Sequence, residues 1–294
     1  MSSNFIQMFP DEREKGETQI KQCHLVLLRM FKIFHYLCTE HNIQYFLCSG
    51  TLKGAIRNKG FKPWDDDFDV AMTRSNYEKF VELVVPELPH DIFFQTPETD
   101  KYFPVCHRVE AKLRDKYSSY SLMDDQKDLK YHNGLMMDIL VFDRAFLPHN
   151  FFIFLMNRTL KFFFGNKRDG NNKRAKTLKF ISKYSPFPLV YSNSYIDGRT
   201  MIKRGANYFT EKEISSLIKI KYEDAEAYIP QGWHNYLKRK YGNYMEMPPI
   251  EKQKGHHSED IPDPFTPCNH TEILYWKDRK EREVIFAEDA CHAK

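Results

Sequence analysis

The stretch of sequence that decides the fold spans residues 45–70 and reads YFLCSGTLKGAIRNKGFKPWDDDFDV. Its apolar start at 45–48 predicts a short buried strand, which the small residues Ser49 and Gly50 bring to an end. A second strand is predicted at 68–72, and the residues between are expected to form a brief helix and a turn. The stretch therefore predicts two strands joined through a helix.

Aspartates crowd the end of this stretch, and two of them are placed to share a ligand. Because side chains alternate along a strand, Asp67 and Asp69 project from the same face, with apolar residues on the opposite face. Two ionised carboxylates this close repel each other unless something neutralises them. A divalent cation such as Mg²⁺ or Mn²⁺ takes oxygen ligands of this kind. The alternative is that residues 65–67 form a solvated acidic turn, as most acidic runs do.

A further carboxylate, Asp138, lies in the apolar run 135–140, where an unpaired charge would be costly to bury. If this run is a neighbouring strand, it brings Asp138 beside Asp67 and Asp69 and completes a three-carboxylate metal site. Upstream, the small-residue turn at 49–51 leads into a helix N-terminus, where backbone N–H groups can receive phosphate. The combination predicts a phosphate-handling site.

The remaining patterns set the organisation of the chain. Strands separated by helices, with some strands adjacent, predict the α/β (α+β) class with a mixed sheet flanked by helices. We expect a catalytic core at 1–148 and a basic, aromatic helical segment at 149–204. Residues 205–257 are expected to complete the domain, and 258–294 to form a polar, poorly ordered tail.

Composition excludes several classes of protein. The 294 residues carry a net charge of only +4, which is too small to indicate nucleic-acid binding. None of the six cysteines forms a CxxC pair, so neither a zinc knuckle nor a thioredoxin-like site is indicated. Residues 1–15 lack the apolar core of a signal peptide, and the longest apolar run falls far short of the roughly 20 residues that cross a bilayer. We expect a cytoplasmic protein, at most peripheral at the inner face of the membrane.

The near-neutral total conceals a strongly basic segment. Residues 158–183 hold nine Lys and Arg against one acidic residue, a local charge of +8 that leaves −4 for the rest of the chain. Phenylalanines accompany these basic residues, and that mixture suits a helix lying on an anionic membrane surface. The alternative is a helix packed on the sheet with a solvated basic face.

The quoted stretch and four others together resemble the LicD family, which includes bacterial phosphocholine transferases and the eukaryotic fukutin-related proteins. The resemblance runs from about Gln19 to Pro249 and is carried by residues 45–70, 112–115, 134–139, 228–237 and 241–249. It implies a nucleotidyltransferase-type fold used for phosphotransfer. Family members take a phosphorylated alcohol from a CDP-activated donor, place it on a glycan or lipid-linked glycan acceptor, and release CMP.

The resemblance also implies roles for individual residues. Metal ligands are expected at Asp67, Asp69 and Asp138, with Asp138 either completing the metal site or accepting the proton of the attacking hydroxyl. The residues expected against the donor phosphates are Ser49, Gly50 and Thr51. Residues expected to support the site are Asp65, Asp66 and Lys112.

Three further side chains are candidates for binding the donor. Arg57 and Arg114 are expected to clamp pyrophosphate oxygens, because a planar guanidinium matches them bidentately; the alternative is two ordinary surface arginines. Trp64 is expected to stack on the base or on choline, or else to wedge its loop into the core. Two other functions stay open: a nucleotidyltransferase that releases pyrophosphate, and a non-catalytic glycan-binding relative.

Overall fold

The structure is a computed structural model that describes residues 5, 7–103, 109–120, 131–145, 149–165, 173, 177, 190–192, 208–255 and 262–268. Its helices are α1 (Gln19–Glu40), α2 (Ser49–Asn58), α3 (Arg74–Lys79), α4 (His149–Phe164), α5 (Glu211–Ile214) and α6 (Trp233–Tyr241). Its strands are β1 (Phe46–Leu47), β2 (Phe68–Thr73), β3 (Ile92–Gln95), β4 (Ala111–Asp115), β5 (Met136–Ala145), β6 (Val190–Ser192), β7 (Tyr208–Thr210), β8 (Leu217–Tyr222) and β9 (Ala225–Pro230).

Seven of the described strands form one mixed sheet. Its central order is β1-β2-β5-β4-β3, and β6 and β7 extend it from the end of β5. Strands β2 and β5 run parallel, whereas the other neighbours pair antiparallel. The predicted α/β class with a mixed sheet flanked by helices is therefore confirmed. Strands β8 and β9 form a separate antiparallel hairpin, as the sequence predicts for 217–229.

Helix α1 covers one face of the sheet because its apolar residues recur at spacings of three and four. The hydroxyl of Thr18 caps its start by accepting a hydrogen bond from the Lys21 amide at 3.4 Å. From α1, Phe31 stacks on Phe68 of β2 with ring centroids 4.6 Å apart. Side chains alternate along β2, so Asp69 points to the opposite face.

The face of the sheet that carries Asp69 is partly covered by the C-terminal half of the chain. Phe209 of β7 packs edge-on against Phe46 of β1, with ring centroids 5.2 Å apart. Phe209 also stacks on Tyr236 of α6 at 4.2 Å. These aromatic contacts hold α6 beside the end of β1, where the 49–51 turn begins.

Part of the predicted tail is folded against the core. Asp263 pairs with Ser119 in an isolated β-bridge, and the Cys23 thiol donates to the Pro262 carbonyl at 3.1 Å. Arg13, fully buried, contacts the carbonyl of Pro264. Residues 262–268 thus differ from the expected poorly ordered tail, because their backbone groups find partners on the core. The rest of that tail lies outside the described residues.

Candidate active site

Strand register sets three charged side chains in one row across the sheet. Asp69 of β2 pairs in register with Asp138 of β5, and Asp138 pairs in turn with Lys112 of β4. All three are buried, and Lys112 Nζ lies 2.5 Å from Asp138 Oδ1. Neighbouring strands are about 4.8 Å apart, so the two carboxylates lie side by side. The predicted approach of Asp138 to the Asp69 strand is therefore observed.

The turn at 49–51 meets this row at Asp69. The Gly50 amide donates to Asp69 Oδ2 at 3.2 Å, and the Asp69 amide donates to Thr51 Oγ1 at 2.7 Å. These two bonds fix the start of α2 against β2. Ser49 has a φ of +48°, a left-handed conformation that is uncommon for a residue other than glycine and that clusters at functional sites.

A lysine from the far end of the domain reaches the same turn. Lys240 Nζ of α6 donates to Ser49 Oγ at 2.7 Å and to the Tyr236 hydroxyl at 3.0 Å. No motif in the sequence singles out Lys240. Its only signal was its position between two stretches that resemble the family, 228–237 and 241–249.

Two further lysines flank the turn. Lys62 pairs with the carboxylate of Asp65, and a Cβ placed on Gly50 would lie 3.1 Å from Lys62 Nζ. Burial acts to lower the pKa of Lys62, but Asp65 and the neighbouring aspartates raise it overall. Burial and the charges of Lys62 and Arg57 lower the pKa of Lys53 to about 8. This side of the site is therefore cationic, although the sequence analysis assigned neither lysine a role.

The aspartates at 65–67 are buried, so the alternative of a solvated acidic turn is wrong. The His24 side chain on α1 bonds the Asp65 carbonyl at 2.8 Å through Nε2, and the Tyr120 hydroxyl donates to the Asp66 carbonyl. Burial raises the pKa of the Asp65 carboxyl to about 7, against the opposing effect of Lys62. The main-chain contacts hold the loop in place, and the side chains of Asp65 and Asp66 are buried in the protein.

The two candidate arginines have different surroundings. Arg114 is buried, and it donates to Gln95 Oε1 at 2.7 Å and to the Gly134 carbonyl at 2.6 Å, so it is not a surface arginine. Arg57 is half-buried and donates to the Glu246 carbonyl at 3.2 Å. Its guanidinium carbon lies 6.0 Å from the Trp64 ring centroid, so this pair forms one edge of the cationic region.

The predicted three-carboxylate metal cluster is not assembled. Among the residues that the structure describes, no three His, Cys, Asp or Glu side chains are grouped closely enough to hold a metal ion. The donor set still has suitable chemistry, because Mg²⁺ usually binds one or two carboxylates and completes its shell with water and substrate phosphates. Asp69 and Asp138, side by side on neighbouring strands, offer that pair. Metal binding stays a prediction.

A mixed sheet with paired aspartates beside a Ser-Gly turn defines a nucleotidyltransferase-type domain. In agreement, residues 42–95 match the LicD/FKTN/FKRP nucleotidyltransferase domain. The chain is also 27% identical over 263 residues to the lipopolysaccharide cholinephosphotransferase LicD of Haemophilus influenzae, an alignment covering 82% of this chain and 97% of that protein. Both matches support the resemblance to the LicD family.

Two uncharacterised rickettsial proteins are similar over shorter lengths. The protein of Rickettsia prowazekii is 29% identical over 121 residues, which cover 35% of this chain and 44% of the relative. The protein of Rickettsia typhi is 38% identical over 60 residues, which cover 20% of this chain and 19% of the relative. These matches are too short to bear on the whole domain.

Proposed function

We propose that this protein is a metal-dependent phosphotransferase that moves phosphocholine, or a related phospho-alcohol, from a CDP-activated donor to a glycan hydroxyl and releases CMP. The similarity to a protein named as a lipopolysaccharide cholinephosphotransferase, over nearly its whole length, supports the reaction class. The observation that carries the proposal is the register of Asp69 with Asp138 beside the cationic turn at Ser49.

The two registered carboxylates are the proposed holders of Mg²⁺ or Mn²⁺, with Asp67 as the third candidate. Such a cation, when bound, neutralises charge on the donor diphosphate. Asp69 is oriented for this role by the Gly50 amide, and Asp138 by the ammonium group of Lys112. We therefore assign Asp138 to cation binding rather than to proton abstraction, since Lys112 already holds one of its oxygens.

The lysines around the 49–51 turn are the proposed ligands of the donor phosphates. Phosphoryl transfer depends mainly on positioning and on neutralising charge. Lys62 lies just before the aspartate loop (residues 65–67), and its ammonium group is beside Gly50. Lys240 approaches the turn from α6 and contacts Ser49. Lys53 adds a third positive group nearby, and burial together with the charge of Lys62 lowers its pKa.

The edge formed by Arg57 and Trp64 is the proposed contact for the rest of the donor. An aromatic face suits either a cytosine ring or a quaternary ammonium group. Arg114 has a supporting role in this proposal, because its hydrogen bond to Gly134 holds the chain just before β5, the strand that carries Asp138.

The test is incubation of the full chain with Mg²⁺, a glycan acceptor and a panel of CDP-activated alcohols, with CMP and pyrophosphate measured separately. CMP release coupled to phosphocholine on the glycan supports the proposal. Pyrophosphate release from CTP indicates the nucleotidyltransferase alternative instead. Glycan binding without either product indicates a non-catalytic relative. Asp224→Asn serves as a matched control for Asp69→Asn. Asp224 is an exposed carboxylate far from the row in sequence, and among the described contacts it pairs only with Lys32.

A further inference from the structure

The C-terminal half of α4 exposes an unusual amount of apolar surface. Phe162 is 86% exposed and Phe163 is 71% exposed, and Leu155 is 49% exposed two turns earlier. The rings of Phe162 and Phe163 lie 5.5 Å apart at a steep angle, so they contact each other while leaving most of their surface in solvent. Adjacent, largely exposed phenylalanines are costly to leave in water and indicate an interaction surface.

Basic residues accompany this apolar surface. Arg158, Lys161 and Lys173 are exposed in the described part of this region. The sequence from 158 to 183 carries a net charge of +8. The partner of this surface must therefore offer both an apolar phase for the rings and negative charge for the basic residues.

The geometry of α4 fits a helix that lies on a membrane rather than across it. With 16 residues the helix is about 24 Å long, shorter than the roughly 30 Å hydrocarbon core of a bilayer. In the described part of the chain, no helix has the length and apolar character that a membrane span requires. Exposed phenylalanines flanked by Lys and Arg are the composition of an interfacial helix.

We propose that the C-terminal half of α4, from Leu155 to Phe164, binds the surface of an anionic membrane. The phenylalanines would enter the boundary between headgroups and acyl chains, and the basic residues would contact anionic headgroups. A second copy of this chain is a poorer occupant, because it would bring the same positive charge to the interface. The proposal does not rest on the transferase activity, and membrane binding requires neither donor nor acceptor.

The surface is also tied to the candidate active site by the chain. Strand β5 carries Asp138 and ends at Ala145, and α4 begins at His149. A membrane-bound α4 would therefore keep β5 close to the bilayer surface. For an enzyme acting on a lipid-linked glycan, this attachment raises the local concentration of acceptor.

The test is co-sedimentation of the full chain with phosphatidylcholine vesicles, with and without added phosphatidylglycerol. We expect binding only to the anionic vesicles and weaker binding at high salt. The double variant Phe162→Ser/Phe163→Ser should lower the partition coefficient about tenfold or more. The variant Lys161→Glu/Lys173→Glu should lower it about tenfold.

The control variants use exposed positions on other elements. Val81→Ser/Leu83→Ser removes two exposed apolar side chains from the segment after α3, and Lys79→Glu/Lys212→Glu reverses two exposed charges. Both controls should bind vesicles as the wild type does. CMP release with a soluble acceptor should be unchanged in the phenylalanine variant, which separates this proposal from the proposed reaction.

Either of two results would overturn the proposal. One is wild-type protein that stays in the supernatant with anionic vesicles, or that binds them equally well without Phe162 and Phe163. The other is a dimer, detected by sedimentation without lipid, that is lost in the phenylalanine variant while vesicle binding is absent. The second result would identify a further copy of the chain as the occupant.

Discussion

The aspartate loop (residues 65–67) and the aspartate row (Asp69 and Asp138) differ in what surrounds their carboxylates. In the loop, Asp65 and Asp66 are 3% and 1% exposed, and their carbonyls accept hydrogen bonds from α1 and from Tyr120. In the row, Asp69 and Asp138 lie side by side on parallel strands, next to a backbone amide and a lysine. The loop is thus packed into the protein, whereas the row brings together the two carboxylates that we propose to hold the cation.

This contrast teaches that clustering alone does not assign a carboxylate its role. The strand period of two determines that Asp69 faces the site. Asp65 and Asp66 precede β2 and are buried in the protein instead. Substitutions in the loop should therefore act mainly on stability, and substitutions in the row mainly on activity.

The largest expected effect is that of Asp69→Asn. Removing a carboxylate that is proposed to hold the cation at the donor diphosphate should lower kcat/KM by about three orders of magnitude, because charge neutralisation is the main contribution to this type of reaction. The Gly50 amide can still donate to the amide oxygen of Asn, so the melting temperature should change little. A large decrease in Tm with a small loss of activity would show that Asp69 stabilises the fold, as the loop aspartates are expected to do, and does not act in the reaction.

Gly50→Ala tests the space beside the row. The added Cβ would lie 3.1 Å from Lys62 Nζ and 3.7 Å from Asp69 Oδ2, so Lys62 must move. A misplacement of about 1 Å at a reacting centre costs up to about a hundredfold, so this shift of a few tenths of an ångström should lower kcat/KM by less than that. Thermal unfolding should hardly change, since the lysine end is flexible. Unchanged kinetics would show that Lys62 does not bind the donor.

The loop has its own signature in the pH dependence of stability. Burial lowers the pKa of His24 from 6.5 to about 4, so the unfolded chain takes up this proton first as the pH falls. The titration of His24 by itself thus lowers stability between about pH 6.5 and pH 4, by about 2 kcal/mol at pH 5 relative to pH 7, whereas the raised pKa of Asp65 acts in the opposite direction in both wild type and a His24 variant.

The check is urea unfolding at pH 7 and pH 5. His24→Gln can still donate to the Asp65 carbonyl but does not titrate, so its loss of stability between the two pH values should be smaller than that of the wild type by this amount. If the free energy of unfolding falls equally in the two proteins, protonation of His24 does not contribute to the acid sensitivity of the protein.

The smallest predicted effect belongs to Lys240→Met. Its ammonium group reaches the turn through Ser49, so removing it should raise KM for the donor about fivefold and leave kcat nearly unchanged. Lys238→Met, an exposed position on the same helix, is the matched control and should behave as the wild type. Equal kinetics in the two variants would remove Lys240 from the donor site.

Alternation and strand patterning were enough to predict the strands and the α/β class, because these are properties of short segments. The meeting of Asp138 with Asp69 was predicted only on the condition that their strands are neighbours, and the structure meets that condition. The contact between Lys240 and Ser49 joins residues 191 positions apart, and no local pattern encodes it. The hydrogen bond between His24 of α1 and the Asp65 carbonyl likewise joins residues 41 positions apart. Such contacts arise from the packing of whole elements, which single-sequence periodicity does not contain.

The most direct test of the central claim is a paired measurement of CMP release from CDP-choline by Asp69→Asn and Asp65→Asn, with Mg²⁺ and a glycan acceptor present. The two variants make the same carboxyl-to-amide change, four residues apart, one in the row and one in the loop. We expect Asp69→Asn to lose about a thousandfold in rate and Asp65→Asn to stay within about tenfold of the wild type. Equal losses in both variants, or full activity in Asp69→Asn, would contradict the division between row and loop.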